Sequence, residues 1–272
     1  MSSEVVLFAR SGDIARLTFN RPDKLNALSP DLIERALVLS EDAARSDARV
    51  LIVSGAGRAF SAGVDLAAVS SPDYDADAAR RFSENARRLA LCWETAPQVV
   101  IAKVSGYCFT GGLELALGCD LIVASEDAIF CDTHARLGFR PGWGLSARLP
   151  RRIGVQRARE LSFTARRVSA REAVTLGLIL DAVPADQLDD RVGALAAQII
   201  ANSAGAIAAY KDLYRMTQNL ALDQGLQFEA RSNYPIADRR ERRSRALAGL
   251  GQAADQGSGD VASHRAGRPT RE

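Results

Sequence analysis

A short stretch in the middle of the chain brings a carboxylate close to a pair of glycines. Gly111 and Gly112 precede Glu114, whose neighbours in sequence are apolar. Ile101–Val104 before them has the β-branched, apolar character of a buried strand, and Leu113–Leu117 starts a compact helix. A helix N-terminus carries unpaired N–H groups and partial positive charge, and glycine lets a ligand oxygen approach the backbone. The spacing indicates a base beside an oxyanion-binding backbone, although an ordinary glycine turn before a helix has the same pattern.

A second glycine-bearing connection, Ser54–Leu66, follows another candidate buried strand, Val50–Val53. If the two candidate strands are neighbours, this connection and Ser105–Gly112 lie at the same edge of one sheet. One backbone N–H group from each could then bind a single oxygen, and a thioester carbonyl that becomes an enolate is a suitable ligand. Two unrelated glycine turns are the alternative interpretation.

The composition is that of an ordinary globular protein. The chain has 272 residues, of which 47% are hydrophobic and 25% charged, and its net charge is +2. This charge gives no reason to expect nucleic-acid or membrane partners. The four cysteines form no C-x-x-C pair, and the N-terminus lacks the pattern of a signal peptide. We therefore predict reduced thiols, no metal site and a cytoplasmic location.

The elements that must position these residues alternate between strand and helix. Val5–Ala9 and Ala15–Phe19 predict a hairpin across a Ser-Gly-Asp turn, and Ser29 is a candidate N-cap of the following helix. Ala76–Thr95 predicts a long helix, whereas Asp132–Ser146 predicts a long loop of the kind that often carries function. Because helices dominate the last third, the pattern indicates an α/β fold with a helical C-terminal region.

The central stretch resembles the signature of the crotonase superfamily, also called the enoyl-CoA hydratase/isomerase family. The residues that carry the resemblance are Val104, Gly106, Gly111, Gly112, Glu114, Leu115, Ala116, Cys119 and Asp120. Three further blocks agree in order, namely Asn20–Leu28, Ala59–Leu66 and Phe130–Leu149. The resemblance extends over roughly residues 5 to 233.

The resemblance implies a spiral of ββα turns over residues 1–200, a helical trimerisation region over 201–250 and a disordered tail over 251–272. It also implies an acyl-CoA thioester as substrate, with no metal or redox cofactor. Family members assemble as homotrimers or as hexamers made of two trimers, so we expect one of these states.

The resemblance also assigns roles to individual residues. Ala62 and Gly111 are the expected oxyanion donors, and Glu114 matches the first of two catalytic glutamates in the family's hydratases. The expected CoA- or substrate-binding residues are Arg21, Lys24, Ala27, Ala62, Gly63, Asp65, Leu66, Gly111 and Trp143.

The second glutamate of the hydratases is replaced in this chain by His134. A neutral imidazole can accept or give a proton near neutral pH, so His134 is a candidate acid or base. A hydrogen-bonded loop histidine is the alternative. Asp132 and Thr133 lie close by in sequence, but spacing alone does not bring them to the substrate.

Other departures concern the shape of the pocket and its charge. Thr110 replaces the first of three usual glycines, and Trp143 and Leu145 stand where hydratases have small residues. The lysine that commonly follows the Gly-x-Asp segment is missing, which leaves Lys24, Arg21 or a C-terminal arginine for the CoA phosphates.

The predicted function is hydratase-like: addition of water to, or its removal from, the C2–C3 double bond of an acyl-CoA thioester. An isomerase, decarboxylase or thioesterase of the same family is the alternative within the class. A non-catalytic acyl-CoA carrier is the alternative outside it.

Overall fold

Two sheets organise the computed structural model, which describes residues 4–248. The larger sheet is built from β1 (Val6–Ser11), β2 (Ile14–Phe19), β3 (Val50–Gly55), β5 (Val99–Val104), β7 (Leu121–Ser125) and β10 (Asp181–Val183), in that spatial order. The smaller sheet is built from β4 (Ala59–Ser61), β6 (Tyr107–Phe109), β8 (Ile129–Cys131) and β9 (Val168–Ser169), also in that order. The predicted tail over 251–272 lies outside the described residues.

The helices connect the two sheets and then extend beyond them. They are α1 (Pro30–Arg45), α2 (Leu66–Val69), α3 (Ala76–Thr95), α4 (Gly111–Leu117), α5 (Leu145–Ile153), α6 (Val155–Thr164), α7 (Ala170–Leu176), α8 (Leu188–Ile200), α9 (Ala204–Thr217) and α10 (Leu222–Arg231). Residues 239–248 are also helical. Along the chain, a strand of the larger sheet, a strand of the smaller sheet and a helix recur, which confirms the predicted α/β spiral of ββα turns.

Local sequence signals account for several of these elements. β1 and β2 pair antiparallel, as the turn predicted, and the Ser29 side chain caps α1 by accepting a hydrogen bond from the Leu32 N–H group. β3 and β5 are parallel neighbours, with Val50 opposite Val99. The connections that follow these two strands therefore leave the larger sheet at the same edge, as the sequence analysis required.

The two glycine-bearing connections are more regular than predicted. Each contains a three-residue strand, β4 or β6, and these strands pair in parallel. The predicted loop over Asp132–Ser146 contains a 3-10 turn at Ala135–Leu137, and its end already belongs to α5. Strands of three residues are too short for hydrophobic alternation to reveal them, and their pairing comes from the tertiary fold.

The main core lies between the sheets and helices α1, α3 and α4, and a second cluster lies on the other face of the larger sheet. There, Leu188, Val192 and Ala196 of α8 pack against Val50, Ile101 and neighbouring strand residues. No single helix within residues 4–248 is long and apolar enough to cross a membrane; α8 and α9 approach that length only as a pair bent by 102°.

A partly buried lysine helps to attach α9 to the rest of the fold. Lys211 of α9 donates hydrogen bonds to the Trp93 carbonyl (2.7 Å), the Gln98 carbonyl (2.8 Å) and Asp120 Oδ2 (2.7 Å). These contacts fix α9 beside β5 and β7. α8 ends at Ile200, and the predicted division there stays a prediction, as does the trimerisation role of residues 201–250.

Candidate active site

A cavity of about 870 Å³ brings together residues from four separate parts of the chain. Its walls come from the connection after β4, from α3, from the start of α4 and from the loop after β8. Glu114 and His134 both line it, as do Ala62, Leu66 and Trp143. The cavity therefore contains both predicted acid–base residues.

Glu114 is a buried carboxylate held by backbone donors. Only 2% of the residue is exposed. Its Oε1 atom accepts hydrogen bonds from the N–H groups of Trp143 (2.9 Å) and Leu145 (3.1 Å), which belong to the turn that enters α5. Two donors satisfy this oxygen and fix the carboxylate, and the second oxygen, Oε2, faces His134.

The turn that holds Glu114 is itself anchored by an ion pair. Arg148 Nη1 donates to the Trp143 carbonyl (2.7 Å). The same guanidinium makes two hydrogen bonds to Glu94 of α3, at 2.5 and 3.0 Å. A bidentate arginine–carboxylate pair is geometrically specific, so this pair fixes the backbone N–H groups that orient Glu114.

His134 lies between two carboxylates. Its Nδ1 atom is 2.7 Å from Asp132 Oδ1, its Nε2 atom is 3.5 Å from Glu114 Oε2, and the residue is only 8% exposed. Burial alone would lower the pKa of the imidazole, but the hydrogen bonds to Asp132 and Glu114 and the two negative charges raise it to about 9. With this pKa, His134 is an imidazolium at neutral pH and not the neutral imidazole considered from the sequence.

Asp132 is a site residue whose role sequence reasoning missed. Its Oδ1 atom accepts hydrogen bonds from both the ring and the backbone N–H of His134, the latter at 3.1 Å. Burial raises the pKa of this carboxyl, but hydrogen bonds from His134 and Ser162 outweigh burial and hold the pKa below its usual value. The signal in the sequence was an aspartate two residues before a candidate catalytic histidine. The contact itself depends on how the loop after β8 bends, which the spacing does not show.

The predicted backbone donors need one correction. Gly111 is the first residue of α4, where N–H groups lack helical partners. The Ala62 N–H group, however, donates to the Leu25 carbonyl at 2.9 Å and is not available to a ligand. Within residues 4–248 the neighbouring Val64 N–H has no acceptor, and Val64 lines the cavity.

Gly63 explains how the two donor segments approach each other. It has φ +96°, and a Cβ placed on it would lie 3.6 Å from the Gly111 nitrogen. Gly63 N–H donates to Ser61 Oγ and its carbonyl accepts from Leu28, so the backbone turns the next N–H group, that of Val64, away from these partners. Of the two candidate N–H groups near Gly111, only that of Ala62 is therefore bound to a protein acceptor among the described residues, and that of Val64 is not.

Thr110 adopts a backbone conformation that favours glycine. Its φ is +49° and its ψ is −111°, and its N–H group donates to the Cys131 carbonyl at 2.8 Å. Its hydroxyl is hydrogen-bonded to the hydroxyl of Thr133, and both residues line the cavity. This pair ties the start of α4 to the loop that carries His134.

Trp143 shapes the cavity beside the donors. A Cβ on Gly111 would lie 2.6 Å from Trp143 Cζ3, so the indole packs directly against the glycine backbone. The indole also meets the Phe82 ring edge-on, with centroids 5.3 Å apart. Trp143 therefore occupies the part of the cavity wall beside Gly111.

Of the residues predicted to bind CoA, Ala62, Leu66 and Trp143 line the cavity, and the charged ones do not. Arg21 pairs with Asp65 Oδ2 at 2.7 Å and donates to the Ala27 carbonyl, so it joins the N-terminal loop to the connection after β4. Neither Arg21 nor Asp65 lines the cavity, nor does exposed Lys24. These contacts give Arg21 and Asp65 a positioning role and leave CoA recognition by this loop a prediction.

Known proteins resemble this chain over most of its length. Residues 9–251 match the family described as Enoyl-CoA hydratase/isomerase. A short-chain-enoyl-CoA hydratase from Clostridium acetobutylicum is 32% identical over 83% of this chain and 86% of its own. The structure of an enoyl-CoA hydratase from Bacillus anthracis has a TM-score of 0.80 at 33% identity and covers 84% of this chain and 88% of its own. A Thermobifida fusca structure in complex with acetoacetyl-CoA has a TM-score of 0.76 at 29% identity, over 91% and 95% of the two chains.

Proposed function

The chain belongs to the enoyl-CoA hydratase/isomerase family, and from that premise and the geometry of the cavity we propose that it hydrates the C2–C3 double bond of an acyl-CoA thioester. The complex of the Thermobifida fusca relative with acetoacetyl-CoA supports an acyl-CoA ligand. The reaction exchanges only water and protons, so it requires no redox cofactor.

The backbone N–H groups of Val64 and Gly111 bind the thioester oxygen in this proposal. Addition of water at C3 moves electron density onto that oxygen and gives an enolate. The two N–H groups, with the positive end of α4 behind Gly111, stabilise the developing charge. Removing one such donor typically costs about 10²–10³ in rate.

Glu114 and His134 divide the acid–base work. Glu114 Oε2 takes a proton from water while the water oxygen forms a bond to C3. The His134 imidazolium then gives a proton to C2 as the enolate collapses to the thioester. Because Oε2 and Nε2 are 3.5 Å apart, the proton gained by Glu114 can return to the imidazole and restore both groups.

The observation that carries this proposal is the juxtaposition of a fixed carboxylate and an imidazolium in one cavity with two available backbone donors. The test follows the loss of conjugated absorbance of crotonyl-CoA and of a longer enoyl-CoA. Glu114→Gln keeps an oxygen for the Trp143 and Leu145 N–H groups but loses the base, so turnover should fall by about 10²–10⁴.

Glu84→Gln is the matched control, because Glu84 is an exposed residue of α3 that does not line the cavity. Its turnover should equal that of the wild type. Unchanged turnover in Glu114→Gln would contradict the proposed base. Tight binding of acyl-CoA without turnover of any enoyl-CoA would support the non-catalytic carrier instead.

A further inference from the structure

One face of α3 lines the cavity with polar and cationic side chains. Arg80, Ser83 and Arg87 are spaced by three and four residues, which places them on the same side of the helix, and all three line the cavity. We call these residues the arginine face. Arg140, from the loop after β8, lines the same cavity.

The charge of this part of the cavity is not balanced by the protein. Within residues 4–248, Glu114 is the one carboxylate that lines the cavity, and backbone donors and His134 already engage it. Within residues 4–248, the Arg87 side chain makes no hydrogen bond and no ion pair. In the same part of the chain, Arg140 donates only to the Pro141 carbonyl, at 3.4 Å. Arg80 pairs with Asp77, which is itself exposed. The guanidinium groups of Arg87 and Arg140 are therefore available to a ligand, and that of Arg80 shares its charge with Asp77.

The arginine face begins beside the reacting centre. Phe82, which precedes Ser83, packs against Trp143, and the Trp143 N–H group holds Glu114. Ser83 Oγ faces Gly142, and it would lie 3.8 Å from a Cβ placed on that glycine. The arginines thus line the same cavity as the proposed catalytic carboxylate, whereas Arg21 of the N-terminal loop does not line it.

We propose that Arg87 and Arg140, assisted by Arg80, bind a carboxylate at the far end of the acyl chain, so that the substrate class is CoA thioesters of carboxylated acyl groups. A guanidinium matches a carboxylate with two parallel N–H donors. Arg80, Arg87 and Arg140 are exposed, and a purely aliphatic chain would place apolar surface against them without giving them a partner. The inference rests on the proposed function only in taking the ligand to be an acyl-CoA thioester.

Calorimetry with two saturated thioesters of equal chain length tests this inference without requiring turnover. Glutaryl-CoA carries the terminal carboxylate, pentanoyl-CoA lacks it, and free CoA reports on the shared part of the ligand. The wild type should bind glutaryl-CoA about 10- to 100-fold more tightly than pentanoyl-CoA. Arg87→Gln should remove most of this preference, Arg87→Lys should keep part of it, and binding of free CoA should not change.

Arg88→Gln is the matched control, because Arg88 pairs with Glu41 and does not line the cavity. It should leave the preference intact. Equal affinity of the wild type for both thioesters would overturn the inference. Equal weakening of glutaryl-CoA, pentanoyl-CoA and free CoA by Arg87→Gln would also overturn it, since the arginine would then bind the CoA phosphates. A preference for glutaryl-CoA in a protein that hydrates no enoyl-CoA would uphold the inference while contradicting the proposed reaction.

Discussion

Replacing Asp132 by asparagine tests whether His134 works as an imidazolium. The variant keeps the size of the side chain and an oxygen that can accept from the His134 backbone N–H group, but it removes the charge that lies 2.7 Å from Nδ1. A hydrogen bond to a charged group contributes about 1.5–3 kcal/mol, which corresponds to about one to two pH units. The pKa of His134, which is about 9 in the native protein, should fall by that amount towards neutrality.

The assay is the pH dependence of enoyl-CoA hydration. In the wild type, rates should fall on the alkaline side with an apparent pKa near 9, because the acid that protonates C2 is lost there. In Asp132→Asn the alkaline limb should move down by about one to two pH units, while the rate at pH 6 stays close to that of the wild type. Titration of the His134 ring by NMR gives the same quantity without turnover.

The control separates a loss of charge from a loss of structure. Asp132→Glu keeps the negative charge but lengthens the side chain and so moves the carboxylate relative to the His134 ring. Its rate should therefore fall without a comparable shift of the alkaline limb. An alkaline limb that stays at the same pH in Asp132→Asn would refute the reasoning. So would a uniform loss of rate at all pH values, since a purely structural role for Asp132 predicts that result.

Two further predictions concern stability and the backbone donors. A folded-state pKa of about 9 for His134, against an ordinary 6.5, corresponds to about 3 kcal/mol of stability that is complete below pH 6.5 and lost as the pH rises through 9. Urea unfolding should detect this loss in the wild type relative to His134→Gln. Parallel plots of the free energy of unfolding against pH for the two proteins would contradict it. Replacing the Val64 amide by an ester through a hydroxy-acid analogue should lower turnover by about 10²–10³. The same change at Ala62, whose N–H group donates to the Leu25 carbonyl, should affect stability more than turnover, and the reverse order would restore Ala62 as the donor.

Much of the fold could be predicted because strong local signals agree with the tertiary structure. The hairpin turn between β1 and β2, the Ser29 cap and the long α3 are encoded by residues that are neighbours in sequence. β4 and β6 were missed because each has three residues, and their pairing partners are distant in the chain. Contacts between distant segments leave no periodic pattern.

The candidate site was predicted in the same uneven way. Glu114 and Gly111 follow from one continuous stretch, and the structure brings Glu114 and His134 together in one cavity. The choice between Ala62 and Val64 depends on which N–H group is already taken by the Leu25 carbonyl, and one-residue differences of this kind are invisible in the sequence. The contact of Asp132 with His134 likewise depends on the path of a single loop.

The most direct test of the central claim traces solvent atoms into the product. Crotonyl-CoA is incubated with the wild-type protein in ¹⁸O-labelled water and, separately, in deuterium oxide, and the product is analysed by mass spectrometry. We predict that one solvent oxygen enters at C3 and one solvent hydrogen at C2, and that Glu114→Gln abolishes both. A product that gains solvent hydrogen without solvent oxygen would contradict hydration and identify the isomerase alternative. Release of free CoA with solvent oxygen in the carboxylic acid would identify a thioesterase.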